Sequence, residues 1–254
     1  MKNLCTRVGE LSVRPACTPL MLGSVKGLRR HEELMMRDLR TSGPDIEHPR
    51  FARAYMRVSK NGERRGATQH RRRMLDGVSG TIVELGAGHG LNFPLYPAAV
   101  TEVIALEPEP TLRAAATRAA ADAPVPVRVV AGVADAVPLA DDSVDAAVAS
   151  LVLCSVPDPD RALAELRRIL RPGGELRFYE HVVPVSQPKR LLLRAADRSG
   201  LWPAIAGGCH PARDTGAAIA RAGFSVRRSE RIDFAATRFE PAIPHILGIA
   251  VKPR

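Results

Sequence analysis

From Gly80 to the carboxyl end, strand-like and helix-like segments alternate, and that alternation restricts the chain to a parallel sheet covered by helices on both faces. Thr81 to Leu85, Glu102 to Glu107, Val127 to Ala131, Asp145 to Ser150 and Leu176 to His181 read as five successive strands. Pro110 and Thr111 open an alanine-rich helix that runs to about Ala121, with proline in the first turn, where its missing N–H is not needed. Asp160 opens a second helix to Leu170, whose Leu163, Leu166, Ile169 and Leu170 form one apolar stripe, and Pro172-Gly173-Gly174 stops it. Asp214 or Thr215 caps a last helix that ends at Gly223, and Ser225 to Phe234 and Ile246 to Val251 follow as two more strands. The spacing therefore predicts an α/β fold with seven strands, not the six of a dinucleotide-binding dehydrogenase.

What precedes the alternation has a different texture. Met1 to about Pro49 is polar, basic and aperiodic apart from a helical pattern over Leu28 to Leu39, which predicts a poorly ordered extension over 1–49 ahead of a single domain over 50–254. Phe51 to Leu75 reads as a helical stretch, interrupted near Asn61-Gly62, that should pack beside the first strand. The segment 187–208 reads as an insertion that covers a substrate.

The 254 residues carry a net charge of +10, but the excess is mostly arginine beside abundant alanine, which a GC-rich coding bias produces without selection for nucleic acid. Cys5, Cys17, Cys154 and Cys209 are too scattered for a disulfide framework, and no C-x-x-C pair suggests zinc, so no metal is expected and a reducing, cytoplasmic setting fits best. Leu20-Met21-Leu22 is broken at once by Gly23, so no apolar run of signal-peptide length is present, and no stretch approaches a membrane span.

The strongest local motif is Glu84-Leu85-Gly86-Ala87-Gly88-His89-Gly90, where the first strand ends. Glycines there admit backbone dihedrals and ligand approaches that a Cβ would block. A dinucleotide site needs its third glycine at the position of Leu91. Gly86, Gly88 and Gly90 suit instead the methionine part of S-adenosylmethionine, whose ammonium can pair with Glu84. Seventeen residues beyond Gly90, Glu107 ends strand 2, where a carboxylate can accept both ribose hydroxyls. Asp135, after Val133 and Ala134, can accept from the adenine amino group. Three acids at the ends of three adjacent strands agree on one ligand.

After strand 4 the segment Ser150 to Val156 is mostly apolar. It carries neither the Asn/Asp-Pro-Pro-aromatic stretch of enzymes that methylate base amines nor the Pro-Cys nucleophile of those that attack base C5. DNA is excluded on that ground, and with it much of RNA.

From Ile82 to Val251 the chain resembles the animal thiol S-methyltransferases of the endoplasmic reticulum and lipid droplet and their bacterial relatives, within the class I S-adenosylmethionine-dependent methyltransferases. The matching stretches are Glu84 to Gly90 with Asn92-Phe93, Ser143-Val144-Asp145, Leu151 to Val156, Leu170-Arg171-Pro172-Gly173-Gly174, Glu180-His181-Val182, Trp202, Gly208-Cys209 and Pro244-His245-Ile246. The resemblance implies the Rossmann-like seven-stranded sheet, S-adenosylmethionine as cofactor and a small apolar acceptor such as a thiol. It places Glu84, Gly86, Ala87, Gly88, Gly90, Asn92, Glu107, Pro108, Val133, Ala134, Asp135 and Leu151 at the cofactor. The animal enzymes begin with a membrane-anchoring apolar helix that the start of this chain does not match, so membrane residence is not implied.

Methyl transfer from a sulfonium is an in-line displacement that needs a dry, aligned pocket more than covalent machinery. His181, with Glu180 beside it, is the candidate for raising the thiolate fraction of an acceptor, and Cys154, Trp202 and Cys209 are the candidate acceptor-pocket residues. Gln187 to Trp202, with Leu191-Leu192-Leu193 beside Lys189, Arg190 and Arg194, reads as an amphipathic helix that covers the acceptor or rests on an anionic membrane surface. Two other readings stay open: O- or C-methylation of a quinone or phenol, and an RNA-binding methyltransferase using Arg64-Arg65 and Arg71 to Arg73. Oligomeric state is not legible.

Overall fold

The computed structural model describes residues 46–205, 207–236, 238 and 242–254. The expected extension before Ile46, with its Leu28 to Leu39 helix, Cys5 and Cys17, lies outside the described residues. The sheet has seven strands, β1 (Gly80–Leu85), β2 (Val100–Leu106), β3 (Val127–Val130), β4 (Val144–Ser150), β5 (Leu170–His181), β6 (Ser225–Phe234) and β7 (Ile243–Val251). Their order across the sheet is β3-β2-β1-β4-β5-β7-β6. The first five are parallel, and β7 enters antiparallel between β5 and β6. The order reverses direction at β1 and β4, so the carboxyl ends of these two strands flank the crevice where such sheets bind ligands.

Two apolar layers sandwich the sheet. Alternation along β4 shows why: Ala147 and Ala149 face one layer, Ala146 and Val148 the other. The first layer packs under α4 (Pro159–Ile169), through Leu163, Leu166 and Ile169, and under α7 (Thr215–Arg221), through Ala218 and Ile219. The second packs under α2 (Thr68–Leu75), through Met74 and Leu75, and under α3 (Pro110–Ala120), through Ala116. Carboxylates cap the helices at the positions their chemistry demands. Asp158 accepts from the amides of Asp160 and Arg161 at the start of α4, Glu109 from Leu112 in α3, and Asp214 from Ala217 in α7.

The structure departs from the sequence reading at three places. The helical stretch before β1 runs as α1 (Pro49–Gly62), a π-helical turn over Glu63–Ala67, and α2, and its break falls at Gly66, with φ of 116°, rather than at Asn61-Gly62. Gly66 lies outside helical dihedrals, so α1 and α2 are two helices that meet at a kink, which glycine permits. This stretch packs chiefly against β5 and β7, and only Met74 and Leu75 share a layer with Ile82 of β1. Pro172-Gly173-Gly174 lies inside β5, which starts directly at the end of α4. The register with β4 jumps from the Val144–Leu170 pair to Ala146–Glu175, so this stretch is an irregular strand entry.

The 187–208 segment forms α5 (Gln187–Arg198) and α6 (Leu201–Ile205). No residue of α5 is buried, and Leu191 and Leu192 face solvent. Among the described residues no helix is long and apolar enough to cross a membrane.

Candidate active site

The glycine turn follows β1 directly and is fastened from both sides. Gly86 and Gly88 have φ of 58° and 59°, which L side chains rarely adopt, and a Cβ on Gly86 would lie 2.5 Å from Cγ2 of Val152. The Ala87 amide donates to Leu106, and the Gly90 amide donates back to Ala87, closing the turn. Glu107, buried just past β2, accepts the Gly88 amide at 2.7 Å and the Glu109 amide at 3.0 Å. Each of its oxygens keeps a further lone pair for hydroxyl donors. Burial pushes the Glu107 carboxyl up to about 7, against the pull of its two backbone hydrogen bonds.

Glu84 has a different role from the one expected. It is buried on the α2 side of the sheet, where Asn92 donates to one oxygen at 2.8 Å and the Tyr96 hydroxyl to the other at 2.7 Å. Burial pushes its carboxyl up to about 7 as well. Asn92 in turn accepts from the Arg71 guanidinium at 3.1 Å, which also donates to the Ser150 hydroxyl and pairs with Glu63 at 3.0 Å. A buried polar chain therefore runs Tyr96–Glu84–Asn92–Arg71–Glu63 beneath the glycine turn, and Glu84 and Asn92 hold the turn in place through it. Pro108 stands beside Glu107, its carbonyl accepting from Arg113. Val133 and Ala134 sit half-buried in the turn after β3, closed by a bridge from Val133 to Ala136. Asp135 stands at the rim of this end of the sheet, with Arg161 at 3.9 Å.

Next to the turn lies a cavity of ≈ 170 Å³, with walls from α1, the π-turn, the ends of β5, β6 and β7, Leu151 and Trp202. Tyr55 joins the two spaces. It lines the cavity, and its ring stands 3.4 Å from where a Cβ of Gly88 would be. The cavity wall is mostly apolar, with Arg71, Glu63, His181 and His245 as its ionisable groups beside the phenols of Tyr55 and Tyr179. The β5–β7 register sets His181 opposite His245, ring centroids 4.5 Å apart. Burial, reinforced by His181, lowers His245 to about 3, so this ring stays neutral at physiological pH.

Glu180 requires a correction. Expected beside His181 in catalysis, it is fully buried and accepts the amides of Val152 and Leu153, both at 2.9 Å, and of Cys154 at 3.3 Å. It cannot touch an acceptor. Its work is to fix the loop after β4, where Leu151 holds φ at 57°, a strained value for a branched side chain, against the cavity. Cys154 and Cys209 also differ from expectation, because neither lines the cavity. Both are buried behind His181, their sulfurs 3.3 and 3.4 Å from its Nδ1 and 3.6 Å from each other. The Cys154–Cys209 hydrogen bond and burial raise Cys154 well above the thiol range, and the same bond lowers Cys209.

The residues that sequence reasoning missed are Tyr55, Glu63, Arg71, Phe234 and His245. Tyr55, Val58, Ser59 and Gly62 recur at i, i+3, i+4 and i+7, so the α1 face that lines the cavity was present as a helical stripe. Arg71 was hidden in a run of three arginines that looks like a solvated basic face. Within the run, Arg71 is buried, while Arg72 and Arg73 are exposed and Arg73 pairs with Glu230.

Residues 83–178, which span β1 to β5 with both carboxylates and the glycine turn, match the methyltransferase domain family. Thiol S-methyltransferase TMT1B of Mus musculus is 39% identical over 183 residues, covering 70% of this chain and 74% of that protein. The chain belongs to the class I S-adenosylmethionine-dependent methyltransferases. Demethylmenaquinone methyltransferase of Renibacterium salmoninarum is 32% identical over 130 residues, 49% of this chain and 53% of its own. Among solved structures, a putative methyltransferase from Bacillus halodurans superposes with a TM-score of 0.61 at 13% identity, covering 74% of this chain and 99% of that one. As a methyltransferase it uses S-adenosylmethionine, and its residues fit that group. The glycine turn and the Glu107 carboxylate beside it, whose oxygens keep further acceptor lone pairs, are groups able to hold that cofactor.

Proposed function

We propose that this methyltransferase transfers the methyl group to the sulfur of a small lipophilic thiol. The observation that carries the reading is the likeness over 70% of the chain to thiol S-methyltransferase TMT1B, and the mostly apolar cavity beside the glycine turn supports it. S-adenosylmethionine supplies an electrophilic methyl on a sulfonium, and its positive charge disappears in the transfer. The chain's own task is to bring the acceptor sulfur into line and to keep water out, which the apolar walls from α1, Leu151 and Trp202 serve. A free thiol with a pKa of about 8.5 is only a few per cent ionised at neutral pH. His181, on the cavity wall, takes the thiol proton, while neutral His245 packs against its ring and Glu180 fixes the loop behind it.

A second reading, methylation of a quinol or phenol oxygen or ring carbon, is favoured by the likeness to demethylmenaquinone methyltransferase, although that likeness spans about half of the chain. The test is turnover of the purified chain with S-adenosylmethionine and matched lipophilic thiols, phenols and quinols, run with a chelator and read as S-adenosylhomocysteine. Thiols are expected to react fastest. His181→Gln should lower thiol turnover most below neutral pH, where thiolate is scarce, and less as pH passes the thiol pKa. Phenols or quinols outpacing every thiol would refute the assignment, and a pH–rate profile matching wild type would remove His181 from it.

A further inference from the structure

We propose that Cys154, His181 and Cys209 form a binding site for a zinc-class divalent cation. The three residues come from separate parts of the chain, the loop after β4, the end of β5 and the loop after α6, and their ligand atoms all lie within 4.8 Å of one another. A tetrahedral zinc centre, with Zn–S of about 2.3 Å and Zn–N of about 2.0 Å, sets two sulfurs about 3.8 Å apart and each sulfur about 3.5 Å from the nitrogen. Here the sulfurs are 3.6 Å apart, and Nδ1 of His181 stands 3.3 and 3.4 Å from them. The three atoms thus occupy three corners of a tetrahedron of the right size. A buried free cysteine by itself behaves as a small apolar residue, whereas these two sulfurs converge on one ring nitrogen.

The backbone carrying these ligands is fixed by groups that do not use the ligand atoms. The Cys154 amide donates to Glu180, and its carbonyl accepts from the His210 amide at 2.7 Å, which ties the two cysteine loops together. Arg213 donates to the carbonyls of Leu153 and Val156, and the Thr215 hydroxyl donates to the His181 carbonyl at 3.0 Å. Such outer hydrogen bonds aim ligands before a metal arrives. On binding, the cation gains two thiolates and one neutral imidazole, both thiol protons leave to solvent, and the site becomes electrically neutral. Two thiolates and an imidazole select zinc over calcium or magnesium, whose ligands are oxygens. A cation on Nδ1 leaves the other ring nitrogen protonated, so loaded His181 donates to the acceptor instead of taking its proton.

The full chain, purified under reductant, is exchanged with Zn2+, freed of unbound metal and measured by elemental mass spectrometry. About one equivalent per chain is expected, with release of about two protons per metal. Co2+ in place of zinc should give a sulfur-to-metal charge-transfer absorption, a readout that needs no variant. Cys154→Ser with Cys209→Ser should abolish both signals, and His181→Gln should weaken zinc binding by at least about tenfold. Retention below about a tenth of an equivalent overturns the site. So does retention undiminished in the double serine variant, or bound Co2+ without the charge-transfer band. The turnover test above is run in chelator and this one without any acceptor, so each can fail alone.

Discussion

Replacing Glu180 by glutamine tests whether this buried carboxylate supports the cavity wall. In the wild type one oxygen accepts from Val152 and Leu153 and the other from Cys154. The glutamine oxygen can take over the first pair, but its NH2 then faces the Cys154 amide, donor against donor. One buried N–H loses its acceptor, a loss of about 1–3 kcal/mol. For a domain of this size that lowers the melting temperature by ~2–12 °C. Urea unfolding followed by circular dichroism would read it.

The pH dependence of the gap has a definite sign. Burial raises Glu180 in the folded state. Its contribution is therefore present below the unfolded carboxyl pKa and is lost as pH rises through the folded value, whereas glutamine does not titrate. The gap between wild type and variant should thus be widest in mild acid and narrow toward alkaline pH. Because the same amides hold Leu151 against the cavity, KM for the acceptor should rise more than the dissociation constant of the cofactor. A variant as stable as wild type, or a gap that widens with pH, would refute this account of Glu180.

Glu107→Gln should weaken S-adenosylhomocysteine binding about tenfold to a hundredfold, the worth of hydrogen bonds to a charged acceptor, and calorimetry showing unchanged affinity in a folded variant would remove Glu107 from the cofactor site. Two groups of opposite sign should appear when stability is followed with pH. Glu84 and Glu107, raised from 4.5 to about 7, contribute stability that is lost as pH rises through 7, while His245, lowered from 6.5 to about 3, contributes stability that is lost as pH falls from 6.5 toward 3. His245→Asn removes the second, so moving from pH ~7.5 to ~5.5 should raise the variant's urea midpoint relative to wild type, and identical pH slopes would show that burying a neutral His245 carries no free energy.

The order of strands and helices was legible because its signals are local. The helices read over Asp160 to Leu170 and Asp214 to Gly223 carry their apolar stripe or cap within about a dozen residues, although the structure caps the first at Asp158 and takes Pro172-Gly173-Gly174 into β5. The strand ends with Glu84 and Glu107 were legible for the same reason, but what those carboxylates touch was not, since Tyr96, Asn92 and Gly88 reach them only through the fold. Arg71 in its basic run looked solvated because a linear chain does not show that Glu63, Asn92 and Ser150 converge on one guanidinium. Cys154, His181 and Cys209 lie 27 and 28 positions apart, far from any ligand spacing that one turn or helix could close, so their meeting depends on two loops and a strand end brought together by the fold.

The β5–β7 pairing assigns different freedoms to the two halves of the cavity. A slip of β7 by one residue would swing His245 to the opposite face and carry Ile246 into its place, undoing the apolar layer under α7 as well. The histidine wall is therefore locked to the integrity of the whole sheet and resists gradual change. The wall from α1 and Trp202 is made of helix faces outside the strand ladder. New acceptor preferences can accumulate there, one side chain at a time, without repairing the sheet.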